Sequence, residues 1–133
     1  MKKPESLLWN RIKKLNLKGQ VFRIESNTIN GIPDVYWLHN GKSIWLELKA
    51  NNIKNCGLSK YQINWHLKHF QNNGTSFILR EALSLRASQS LKPFYELFVV
   101  REPRDLVLVS SKPKLVNLFD VILDHDATTT HHA

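Results

Sequence analysis

The chain has 133 residues, of which 42% are hydrophobic, and it carries 19 Lys and Arg against 11 Asp and Glu. This length and apolar content predict a single folded domain with its own core and exclude a disordered chain. The single cysteine excludes an internal disulfide and suits a reducing compartment, and the apolar runs are too short to cross a bilayer. The net charge of +8 at pH 7 would attract polyanions, but it leaves a nucleic-acid-binding protein and an ordinary basic protein equally open.

The periodicity of the apolar residues divides the chain into helices and strands. Pro4 suits the first position of a helix, Asn40-Gly41 predicts a tight hairpin turn, and Ser59 suits a helix N-cap. The predicted elements are, in chain order, a helix over 4–16, strands over 21–24, 35–38 and 43–48, a helix over 61–70, strands over 75–80, 96–100 and 105–110, and a helix over 113–123.

This order of elements predicts an α/β fold in which helices flank a central mixed β-sheet. Residues 1–123 form one domain in this interpretation, and the polar residues 124–133 form a flexible tail. The stretch from 81 to 93 fits neither a helix nor a strand clearly. The N-terminal sequence leads into an amphipathic pattern rather than an apolar signal core, so we expect a cytoplasmic protein.

Three charged side chains are predicted to meet at one edge of the sheet. Glu47 and Lys49 lie two residues apart in a strand, so their side chains emerge on the same face. Leu46 and Leu48 point to the opposite face, toward the core. Asp34 opens the preceding strand, and the hairpin turn brings it alongside Glu47. Two carboxylates and one ammonium group therefore converge.

This combination of charges has the properties that phosphodiester hydrolysis requires. The carboxylate oxygens of Asp34 and Glu47 are hard ligands for Mg²⁺ or Mn²⁺, which polarise a phosphoryl oxygen and lower the pKa of bound water. Lys49 can position or help to deprotonate that water and offset the developing negative charge. The alternative is an exposed Glu47–Lys49 salt bridge with Asp34 as a turn residue. The apolar residues along the rest of the strand favour the catalytic interpretation.

Four sequence elements in a fixed order resemble the PD-(D/E)XK nuclease superfamily. They are Glu5 in the first helix, Gly31-Ile32-Pro33-Asp34, Glu47-Leu48-Lys49, and Gln62 in the second helix. The arrangement is similar to that of VRR-NUC domains, the virus-type replication-repair branch that includes stand-alone phage proteins. The resemblance covers roughly residues 5–80, and each element alone is a common pattern.

The resemblance implies a restriction-endonuclease-like core and an Mg²⁺- or Mn²⁺-dependent endodeoxyribonuclease. It also implies that Glu5 and the carbonyl oxygen of Leu48 ligate the metal and that Gln62 completes the catalytic set. Glu5 lies on the inward stripe of its helix, where an unpaired carboxylate would be costly, although a first-turn acid also favours the helix dipole. Gln62 lies at the edge of an apolar stripe, where it can equally face solvent. A phage-encoded protein acting in the host cytoplasm is a further implication.

DNA is the expected partner of such a site. The residues assigned to phosphate contacts are Arg23, Ser26, Lys60 and Lys68. Trp65, His66 and His69 share a helix with the two lysines and give it a basic, aromatic face, although a solvated helix face explains the same pattern.

The sequence is compatible with three functions. The viral relatives suggest branched DNA, such as a Holliday junction, and a homodimer would place two centres on such a substrate. A homing or restriction-type enzyme would instead cut a specific duplex sequence, but no segment is recognisable as a base-reading element. A non-catalytic nucleic-acid-binding module would explain the charge and the aromatic residues, but it has no need of acids placed against phosphates.

Overall fold

The strands follow one another across a single six-stranded sheet in the same order as along the chain. The computed structural model describes residues 3–25, 31–84 and 92–130. The elements are α1 (Pro4–Lys14), β1 (Gln20–Arg23), β2 (Val35–His39), β3 (Lys42–Ala50), a 3-10 turn (Lys54–Gly57), α2 (Lys60–Gln71), β4 (Thr75–Ser84), β5 (Lys92–Val100), β6 (Leu106–Lys112) and α3 (Leu115–Thr130). Within the described part of the chain, no helix is long and apolar enough to span a membrane.

The sheet is mixed because β3 and β4 run parallel, whereas the other neighbouring strands are antiparallel. A parallel pair needs a crossover connection, which the 3-10 turn and α2 provide. The predicted α/β class, with helices flanking a central mixed sheet, is confirmed. The turn between β2 and β3 also has the predicted form, since Asn40 and Gly41 both adopt positive φ angles, of 50° and 76°.

The two faces of the sheet carry separate apolar cores. Leu46 and Leu48 of β3 point into the larger core, which α1 and α3 cover. A smaller core forms on the opposite face around the buried Cys56, and α2 packs against it. Because side chains alternate along a strand, Glu47 and Lys49 lie on the α2 face.

The ends of β4, β5 and α3 differ from those predicted. β4 continues to Ser84 and β5 begins at Lys92, because the two strands pair along residues that carry no strand pattern of their own. α3 continues to Thr130, through residues predicted to form a flexible tail. No Gly or Pro follows Leu123, so nothing in this part of the sequence breaks a helix.

Gly31 lets the loop before β2 lie against the first turn of α2. Its backbone adopts a φ of +85°, in the left-handed region that favours glycine. A Cβ at this position would overlap the backbone carbonyl group of Tyr61. The glycine therefore brings the chain that leads to Asp34 into direct contact with the helix that carries Gln62.

Replacing Gly31 with Ala should destabilise the protein more than the same change at Gly41. Gly41 has a similar φ of +76°, but open space surrounds it, so it controls for backbone strain alone. We expect Gly41→Ala to cost about 1 kcal/mol and Gly31→Ala roughly 2–4 kcal/mol in the free energy of unfolding. Urea unfolding of both variants measures the difference, and equal losses would contradict the contact with α2.

Candidate active site

Asp34 and Glu47 lie opposite each other on β2 and β3. Val35 pairs with Leu46 in antiparallel register, so the residues one step beyond, Asp34 and Glu47, face each other on the α2 side of the sheet. Asp34 is held in place because its Oδ2 accepts a hydrogen bond from the backbone N–H of Leu48 at 2.8 Å. The hairpin therefore brings the two predicted carboxyl groups together.

Glu47 is a buried acid, with 2% of its surface exposed. Its pKa is raised from 4.5 to about 10, chiefly by burial and then by the hydrogen bond to Asp34 and the negative charge of Asp34. The positive charge of Lys49 lowers the pKa, and the negative charge of Glu5 raises it. The Asp34–Glu47 pair consequently retains a proton at neutral pH when no cation is present.

Gln62 connects the start of α2 to Glu47. The side-chain Oε1 of Gln62 accepts a hydrogen bond from the backbone N–H of Ser59 at 2.9 Å, and the backbone N–H of Gln62 donates to Ser59 Oγ at 3.2 Å. This capping box fixes the amide so that Nε2 donates to Glu47 Oε2 at 3.2 Å. A helix cap thus also orients a side chain of the candidate site.

His66 lies beside the same carboxyl group, one helical turn after Gln62. Its Nδ1 is 2.8 Å from Ser76 Oγ, and its Nε2 is 3.9 Å from Glu47 Oε1. Burial first, and then the charge of His69, lower the pKa of His66 from 6.5 to about 4. Both members of the His66–Glu47 pair are therefore uncharged at neutral pH, and their contact is not an ion pair.

The interpretation of His66 as part of the basic, aromatic helix face is wrong, since only 1% of its surface is exposed. The sequence contains a signal that would have placed it correctly. Residues four apart lie on the same side of a helix, so a Gln62 directed at the site implies that His66 is directed there as well.

Two atoms at the centre of this arrangement lack a hydrogen-bond partner among the described residues, namely Oε1 of Glu47 and Nε2 of His66. An unsatisfied buried oxygen next to a second carboxyl group suits a bound cation. No group of three or more His, Cys, Asp or Glu side chains that could hold a metal occurs in the described ranges.

Lys49 and Glu5 act on Glu47 through their charges. Lys49 is half-buried on the same face of β3, two residues from Glu47. Glu5 lies in the first turn of α1, and its charge acts on Glu47 from there. Leu48 is buried and contributes its N–H to Asp34, while the predicted role of its carbonyl oxygen stays a prediction.

The described residues that are predicted to contact DNA are divided between the two sides of the sheet. Arg23 belongs to the opposite face of the sheet, where its Nη2 lies 3.5 Å from Ser6 Oγ of α1. Lys60 and Lys68 are exposed on α2, and Lys60 Nζ lies 5.3 Å from the centre of the Tyr61 ring. Ser26 lies outside the described residues.

No protein-family model matches this chain, and no curated protein matches it.

Replacing Glu47 with Gln should stabilise the metal-free protein increasingly as the pH rises. The folded pKa of about 10 lies above the ordinary 4.5, so folding takes up a proton and wild-type stability falls as the pH rises between these values. Gln does not titrate, so the advantage of the variant should grow by up to about 1.4 kcal/mol per pH unit. Chemical unfolding in EDTA at about pH 5.5 and about pH 8.5 measures this growth.

Glu96→Gln is the matched control for this change. Glu96 also lies in the sheet, and its Oε1 accepts hydrogen bonds from Nε and Nη2 of Arg80 at 3.0 and 2.7 Å. Removing a charged partner should destabilise the protein by about 1–3 kcal/mol at both pH values. A Glu47→Gln variant that behaves like Glu96→Gln would contradict the protonated buried carboxyl group.

Proposed function

We propose that the protein is a metal-dependent DNA endonuclease that hydrolyses phosphodiester bonds. The observation that carries this proposal is the Asp34–Glu47 pair, in which one acid is buried and keeps an oxygen without a hydrogen bond among the described residues. Burying adjacent acids is costly unless a proton or a cation compensates their charge. A fold that places such a pair beside Lys49 on a basic protein is suited to phosphate chemistry.

The residues present fit Mg²⁺ or Mn²⁺. Asp34 and Glu47 would hold the ion, and Glu5 and the carbonyl oxygen of Leu48 are the further ligands that the resemblance implies. All of these donors are oxygens, which hard divalent cations prefer. When bound, the ion supplies polarisation of the phosphoryl oxygen and a lower pKa for the attacking water.

The neighbouring side chains orient the carboxyl groups and the nucleophile. Gln62 donates to Oε2 of Glu47, which leaves Oε1 available as a ligand. His66 faces that same oxygen and limits where the carboxyl group can turn. Lys49, on the same face of the strand, is the group that would position water and compensate negative charge as the phosphodiester bond breaks.

The fold is compatible with a restriction-endonuclease-like core, which we include in the proposal. The Glu-x-Lys strand β3 occupies the middle of the sheet, its hairpin partner β2 begins directly after Asp34, and a helical crossover leads to the parallel β4. The sequence elements that resemble PD-(D/E)XK nucleases, and VRR-NUC domains in particular, occupy these positions. Action in the cytoplasm, including that of a phage-infected host, belongs to the same proposal.

Branched DNA is the substrate that we propose for this site, and a homodimer is the assembly. One Asp34–Glu47–Lys49 centre makes one cut, whereas resolution of a four-way junction requires two cuts related by symmetry. A two-fold dimer supplies them directly. The competing substrate is a specific duplex sequence, which would need side chains directed at base edges.

Cleavage should require Mg²⁺ or Mn²⁺ and should depend on Lys49. We expect Lys49→Ala to lower the cleavage rate by about 100-fold or more, because it removes charge compensation in the transition state. Lys112→Ala is the matched control, since Lys112 is also a half-buried strand lysine but lies on the far edge strand β6. Cleavage that persists in excess EDTA would contradict the proposed site. An equal loss of cleavage rate in Lys49→Ala and Lys112→Ala would contradict it as well.

The proposed assembly predicts a homodimer that prefers a four-way junction to linear duplex of the same sequence. Light scattering measures the assembly, and competition between the two labelled DNAs, with Ca²⁺ in place of Mg²⁺, measures the preference. A monomer that cuts one duplex sequence and does not bind junctions selectively would instead support the homing or restriction-type alternative.

A further inference from the structure

Aromatic side chains form a continuous row from β1 across the sheet to α2. We call this row the aromatic platform, and its members are Phe22, Tyr36, Trp45, Trp65 and His69. The ring centres of successive members lie 6.4, 4.9, 5.5 and 4.6 Å apart. These separations are typical of aromatic rings that pack against one another.

The platform lies on the same face of the sheet as the candidate active site. Tyr36 follows Asp34 by two residues on β2, and Trp45 precedes Glu47 by two residues on β3. Since side chains two apart share a face, about 7 Å along the strand separates each ring from a carboxyl group. The platform is thus a direct continuation of the site.

The platform is accessible at both of its ends. Phe22 is 48% exposed on β1. At the other end, Trp65 and His69 stack with an interplanar angle of 17° and line a shallow groove of about 410 Å³ together with Tyr61 and Lys68. These half-buried rings and the exposed ring of Tyr61 offer apolar surface beside the positive charge of Lys68.

We infer that the aromatic platform binds unpaired bases of the DNA substrate and holds the strand next to the Asp34–Glu47 pair. Unpaired bases expose both ring faces and stack on aromatic side chains, whereas in a duplex these faces are covered. The positive charge of Lys68, and of the chain as a whole, complements the phosphates between the stacked bases. The inference rests on the proposed function, and it names the feature of branched DNA that the site selects, namely unpaired bases at the branch, next to the cleavage position.

An abasic oligonucleotide distinguishes the contribution of base stacking to DNA binding from the contribution of phosphate charge. Two labelled single strands of equal length are compared in EDTA, one with all bases and one with a central abasic run, so that the number of phosphates is the same. We expect the wild type to bind the abasic strand about ten-fold more weakly, because each stacked base contributes substantially to binding. Equal affinity for the two strands would overturn the inference.

Phe22→Leu and Trp65→Leu test the platform itself, because leucine keeps apolar volume and removes the ring. Each variant should bind the complete strand about five- to ten-fold more weakly and the abasic strand as the wild type does. Phe70→Leu is the matched control, since Phe70 is 38% exposed on the same helix but Arg101 covers its ring at 3.9 Å. Equal weakening of both strands by the platform variants would also overturn the inference.

A second copy of the chain is the competing occupant of the platform. If the wild type is a dimer, Phe22→Asp dissociates it and the two strands bind equally well, the surface serves self-association and the inference is overturned. Because all binding is measured without metal, the outcome is independent of catalysis. Base-dependent binding without metal-dependent cleavage would refute the nuclease and retain the platform, whereas cleavage without base-dependent binding would refute the platform alone.

Discussion

The unfavourable proximity of two acids is the constraint on which the arrangement of the other groups depends. Glu47 is buried opposite Asp34, and the charge of Lys49 does not prevent the pKa of Glu47 from rising to about 10. Neighbouring hydrogen bonds restrict the orientation of both acids: the N–H of Leu48 fixes Asp34, and the amide of Gln62 fixes one oxygen of Glu47. A folded chain that retains such a pair sacrifices stability at this position, which is common where a protein binds a ligand or performs chemistry.

The topology explains how distant parts of the sequence reach this pair. A hairpin with a tight Asn-Gly turn aligns the two acids, and the parallel β3–β4 connection requires a helix over the same face. The first two turns of that helix then supply Gln62 and His66. The contact of Gly31 with Tyr61 closes the arrangement, because it presses the loop before Asp34 against the helix N-terminus.

Local sequence patterns predicted most of the fold and part of the site. The alternation of Leu46, Glu47, Leu48 and Lys49 was sufficient to assign faces, because strand geometry allows no other arrangement. The partner of Gln62 was not predictable from the residues alone, since it depends on how the crossover helix docks. The burial of His66 was missed although its position four residues after Gln62 indicates it. The length of β4 depends on pairing with β5, which local periodicity does not encode.

The small core beneath α2 contains the chain's single thiol, that of Cys56, which is fully buried. Burial raises the pKa of this thiol to about 11, so the reactive thiolate is scarce at neutral pH in the folded protein. Alkylation must therefore wait until the 3-10 turn or α2 separates from the sheet. The rate of modification consequently reports how often this side of the molecule opens, at a position that lies under the helix carrying Gln62 and His66.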